Sequence, residues 1–160
     1  MAKRLFISIW LFILCVSAFS QTSGGDTEEI KTIAGTLTIN KAPHAEADSA
    51  TFHVKLNGRE FDQLYGPRYT YYEDSKDTVG ATRIIVEDFA GGFSDPPSVM
   101  LYDFRKKNPD ISNVSGHLDV DGVKWTSKAV FLSENGKWYK FFNGKLTRGG
   151  PPKGLLRQSN

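Results

Sequence analysis

This 160-residue chain has three histidines, His44, His53 and His117. No two of them stand at i, i+2 or i, i+4, the spacings that let imidazoles share a metal ion, and no cysteine joins them. Zinc is therefore not expected. His117 and Asp119 lie two apart on one face of a predicted strand, the arrangement by which a carboxylate orients a general base. The same spacing on a solvent face also describes an ordinary surface pair. No serine sits in a Gly-x-Ser-x-Gly elbow, and the single cysteine, Cys15, falls in an apolar leader. Asp119-Val120-Asp121-Gly122 resembles the opening of a calcium loop, but Lys128 stands where the closing glutamate belongs. Neither Gly91-Gly92 nor Gly149-Gly150 has the Lys-Ser/Thr context of a phosphate cradle. The residues imply no metal and no cofactor.

Aromatic side chains make a more suggestive pattern. In Gly66–Glu73, an extended backbone places Tyr69 and Tyr71 on one face and Tyr72 with Arg68 on the other. If this is an outer strand, one of those faces looks into solvent. Tyrosine and tryptophan combine a flat apolar face with a polar edge, which suits sugar rings and protein contacts. Trp125 and Trp138 extend the inventory, flanked by Lys124, Lys137 and Lys140, although Trp125 shares its face with Val123, Ala129 and Phe131 and is expected inside. The expected ligand-binding residues are Arg68, Tyr69, Tyr71, Tyr72 and Trp138. Arg105-Lys106-Lys107 is a basic loop able to meet phosphate or sulfated sugar, and Asn113-Val114-Ser115 is a glycosylation sequon.

The charge of the whole chain, +2, conceals a division. Lys3 and Arg4 precede an uncharged run from Leu5 to Phe19, with Ala18 and Ser20 placed as the small residues of a cleavage site. This is the form of a secretory signal peptide, so residues 1–20 are expected to direct export and then be removed. The remainder is neutral, with 18 basic and 18 acidic residues. Its body, 21–135, has 12 basic against 18 acidic; beyond it lie Lys137, Lys140, Lys145, Arg148, Lys153 and Arg157 with no acid. That stretch is expected to meet an anionic surface electrostatically. Export and the neutral total argue against nucleic acid as a partner, and for an extracellular or envelope protein or glycan.

The elements that would position these groups read with period two. Residues 21–31 form an expected flexible lead-in, with Asp26–Glu29 suited to one capped helical turn. Residues 32–148 read as one all-β domain and 149–160 as a basic tail. Phe52, Val54 and Leu56 alternate with His53 and Lys55, and Asn57-Gly58 then supplies hairpin chemistry. Further strands are expected over 69–72, 82–89 and 98–104. Residues 115–120, 123–132 and 137–147 read as a C-terminal three-strand meander turned at Asp121-Gly122 and Asn135-Gly136, with a bulge, or a strand covered on both faces, at Phe141-Phe142. About eight strands and no long amphipathic helix predict an antiparallel sandwich or small barrel. The expected function is an exported, non-enzymatic binding module for a protein or carbohydrate. The alternatives are a barrel carrying a small apolar ligand and a hydrolase using His117 and Asp119.

Overall fold

The computed structural model describes residues 27–43, 50–75, 79–91 and 94–150. The expected signal peptide, His44, and the tail positions Lys153 and Arg157 lie outside these residues.

The described residues form twelve strands in three antiparallel sheets of four. The first sheet is β1 (Thr27–Thr32), β2 (Gly35–Lys41), β3 (Phe52–Leu56) and β4 (Arg59–Leu64). The second is β5 (Tyr69–Glu73), β6 (Arg83–Asp88), β7 (Ser98–Asp103) and β8 (Asp110–Ser115). The third is β9 (Gly122–Trp125), β10 (Val130–Glu134), β11 (Lys137–Phe142) and β12 (Lys145–Arg148). Strands neighbour one another in chain order within every sheet, so each is a meander.

The second sheet is the middle layer of three. On one side Tyr69, Tyr71, Ile84, Val86 and Tyr102 pack with Ile30, Leu37, Ile39, Phe52, Val54 and Leu64 of the first sheet. On the other side Tyr72, Ile85, Val99, Leu101 and Val114 pack with Val123, Val130, Leu132 and Phe141 of the third. Every residue of β6 is buried. Its sequence, RIIVED, lacks alternation because both of its faces meet a neighbouring layer. Tyrosine hydroxyls tie the first two layers together: Tyr71 donates to Glu28 at 2.9 Å and Tyr102 to Asp62 at 2.6 Å.

Three turns carry left-handed asparagines followed by glycine: Asn57-Gly58, Asn135-Gly136 and Asn143-Gly144. Asn57 also clamps the preceding hairpin. Its side chain accepts from Thr36 N at 3.0 Å and donates to Ala34 O at 2.9 Å. Gly35, at φ 122°, leaves the room, since a Cβ there would fall 1.9 Å from Asn57 Oδ1.

Several expectations are corrected. Among the described residues there are twelve strands rather than eight, in three open, sandwich-like sheets rather than a small barrel. Thr27–Thr32 is a strand, not a helical turn in a lead-in, because Ile30 and Thr32 turn inward and the whole segment pairs with β2. The expected strand 123–132 is two strands reversed at Thr126–Ala129, where Thr126 Oγ1 both accepts from Ala129 N and donates to Ala129 O. The expected strand 137–147 is likewise split at Asn143-Gly144, so the last sheet has four strands. The strand expected over 115–120 instead ends at Ser115. Phe141 and Phe142 stay in regular register, one inward and one outward; the register shifts lie at Val54/Lys55 and Val99/Met100. Asp121-Gly122 is not a hairpin turn. The Asp121 carboxylate accepts from Ser133 Oγ and from Asn135 N, bracing the β10–β11 turn.

Candidate functional site

The tyrosines expected on a surface are inside the fold. Tyr69, Tyr71 and Tyr72 are 1%, 3% and 6% exposed. Strand β5 is an edge strand, yet it belongs to the middle layer, so neither face reaches solvent. Tyr69 meets Phe52 edge-on at 4.9 Å, and Tyr72 donates to Val120 O at 2.7 Å. Arg68 is exposed, with its guanidinium 3.9 Å above the Phe89 ring. His117 and Asp119 are exposed in an irregular segment, not on a strand. Their backbone N–H groups donate to Ser115 Oγ and to Glu134 Oε1. Among the described residues no three His, Cys, Asp or Glu side chains form a metal-binding group.

Two carboxylates lie buried side by side in β6. Glu87 accepts from Val120 N at 2.8 Å and Thr70 Oγ1 at 2.7 Å. Asp88 accepts from Tyr65 N at 2.9 Å and Gly66 N at 2.7 Å. Burial raises both pKa values, and the donors offset it only in part. They face opposite layers and hold loops in place, so they are not a catalytic dyad.

Trp138, half-buried, is the one expected aromatic site residue that reaches the surface. It lies on the outer face of the third sheet, opposite the inward Tyr139 and Phe141. Register defines its neighbours. Lys124, Phe131, Lys140 and Thr147 form one cross-strand row, Gly122, Ser133 and Trp138 a second, and Phe142 and Lys145 a third. Three aromatic rings thus alternate with three lysines, and these rows contain no acid. Lys140 Nζ stands 5.1 Å over the Phe142 ring. Lys137 and Arg148 are also exposed but occupy the opposite register, beside Glu134 and Tyr139.

At the end of this face a cleft of about 210 Å³ opens between the second and third sheets. Arg83 forms its buried base, joined to Asp74 at 2.5 Å, with the guanidinium 4.8 Å from the Trp125 ring. Arg105 bonds Asp103 through two nitrogens and Ser127 O at 2.7 Å. Burial pushes the Asp103 carboxyl up, but its bonds to Arg105 outweigh that and hold it below the usual range. Lys106 Nζ bonds Asp110 Oδ2 at 2.6 Å. Lys128, Phe142 and Asn143 complete the mouth.

Sequence reasoning flagged Trp138, Lys140 and Lys145 but missed the pairing of Phe131 and Phe142 with them. The Asn143-Gly144 dipeptide was the available signal, because recognising that turn sets the register of β12 against β11. No family model, curated protein or solved structure matches the chain.

Proposed function

We propose that this protein is an exported, non-enzymatic binding module that lays the outer face of its third sheet along an anionic glycan. The observation that carries this reading is that face: Phe131, Trp138 and Phe142 interleaved with Lys124, Lys140 and Lys145, without an acid in the same rows. Ring faces stack on the apolar faces of sugar rings, and lysines between them suit carboxylates or sulfates on the same chain. Trp138 and Phe142 are four residues apart on one strand, about 13 Å. A ligand spanning both is a polymer rather than a small solute. Export rests on the leader sequence. The carrier alternative presupposes a closed barrel, and the hydrolase alternative a working His117–Asp119 pair, so both have less support.

Calorimetric titration with polygalacturonate, with heparin and with a neutral glucan tests the reading at low and at moderate salt. Binding to one or both anionic polymers is expected, weakening with salt, with no binding to the neutral one. Trp138→Ala is expected to lower affinity about 30-fold, the size of a central aromatic contact of about 2 kcal/mol. Full-strength binding by a Trp138→Ala, Lys140→Gln double variant, or no binding to either anionic polymer at low salt, refutes it.

A further inference from the structure

Three exposed Asn-Gly turns share one backbone shape: Asn57, Asn135 and Asn143 have φ of 51°, 49° and 49°. Asparagine before glycine carries a reaction of its own, because glycine puts no side chain in the way of its backbone nitrogen. That nitrogen attacks the asparagine Cγ. The N–Cγ bond forms, the Cγ–Nδ2 bond breaks, and ammonia leaves with the proton of the glycine N–H. Water then opens the succinimide at either carbonyl, leaving aspartate or isoaspartate. Attack requires a free side chain and a turn that can open locally. The three turns differ in both respects. The Asn57 side chain is held at each end, accepting from Thr36 N and donating to Ala34 O. Asn135 lies between two interior strands, and its N–H donates to Asp121 Oδ2 at 2.6 Å. That carboxylate opposes the negative charge that develops on the attacked amide oxygen. Asn143 leads into β12, a four-residue edge strand. Among the described residues no hydrogen bond holds its side chain or the Gly144 N–H. Lys128 at the same cleft mouth and Lys145 two residues on have no acidic partner among the described residues, so the local charge favours the oxyanion.

We propose that Asn143 is a site of spontaneous deamidation, and that the reaction writes a negative charge onto the cationic face of the third sheet. Asn143 follows Phe142 and precedes Lys145 by two residues, and those two are cross-strand partners in that face. A carboxylate there subtracts from the attraction of the face for an anionic polymer. Asn57 must first break two hydrogen bonds, which slows its reaction about 30-fold relative to Asn143. The reactivity of Asn143 is independent of the glycan reading; its effect on polymer binding rests on that reading.

The test is peptide mapping by mass spectrometry after the folded protein has stood in warm, mildly alkaline heavy-oxygen water, which marks each converted residue with a new oxygen. Conversion is expected first at Asn143, then at Asn135, and about 30-fold more slowly at Asn57. In concentrated urea the three dipeptides are expected to convert at similar rates, because the fold then holds none of them. Equal rates in the folded protein, a faster Asn57 or Asn135, or the same order in urea overturns the site. Asn143→Asp reproduces the charge at a position whose left-handed backbone aspartate tolerates. It is expected to bind polygalacturonate or heparin about threefold more weakly, the size of one added charge near the contact. Unchanged binding by Asn143→Asp overturns the charge effect. Binding of neither polymer by the unaltered protein refutes the glycan reading alone, since the mapping uses no ligand and still decides the site.

Discussion

Deleting the same atom from two neighbouring buried tyrosines is expected to change stability in opposite directions. Tyr69→Phe removes a hydroxyl that is buried without a partner among the described residues. Burial raises its pKa to about 12, the mark of a hydroxyl in apolar surroundings. The ring stays, packed edge-on against Phe52. A buried polar group without a compensating hydrogen bond costs about 1–3 kcal/mol, so its removal should stabilise by about 1 kcal/mol. Tyr72→Phe removes a hydroxyl that donates to Val120 O at 2.7 Å and also hydrogen-bonds Glu87. It strands a buried carbonyl, at a cost of about 1–3 kcal/mol. The two variants should differ by about 2–4 kcal/mol in urea unfolding, with a common m-value. On heating, the transition should rise by roughly 4 °C for Tyr69→Phe and fall by more than that for Tyr72→Phe. Equal destabilisation of both refutes the reasoning, because it means that the Tyr69 hydroxyl is as well bonded as that of Tyr72.

The buried carboxylates give a pH signature. Glu87 and Asp88 have folded pKa values above their ordinary 4.5 and 3.8, so the folded state holds their protons longer than the unfolded state. Their contribution to stability is greatest below those ordinary values and is lost as pH rises through the raised ones. Glu87→Gln should therefore flatten the decline measured by urea unfolding above pH 4.5, and an unchanged slope speaks against this account. Asp74→Ala leaves Arg83 buried without its carboxylate, in a pair whose side chains are 3% and 5% exposed. A loss of about 3–5 kcal/mol is expected by denaturant unfolding, and a loss under 1 kcal/mol contradicts a buried, mutually dependent pair.

Much of the local structure follows from short sequence signals. The alternation in Phe52–Leu56 and the Asn-Gly dipeptides determine strands and reversals, because side-chain period and positive φ are local properties of the backbone. Asn143-Gly144 obeys the same rule as Asn57-Gly58, so the fourth strand of the last sheet was legible in the sequence too. The all-β class and the concentration of lysines near the C-terminus were equally readable. Layering was not. Whether the tyrosines of β5 face solvent depends on whether another sheet covers them, and no property of residues 69–72 encodes the presence of Ile30 on one side or Val120 on the other. The exposed face around Trp138 is the converse case. Its aromatic residues look like core residues in composition, and only cross-strand register, fixed by two tight turns, aligns them with lysines on the side away from the core. The sequence determines which residues alternate and where the chain reverses, since those are near-neighbour constraints. The tertiary structure decides which of the two faces each alternation buries, because that requires pairing between residues far apart in the chain.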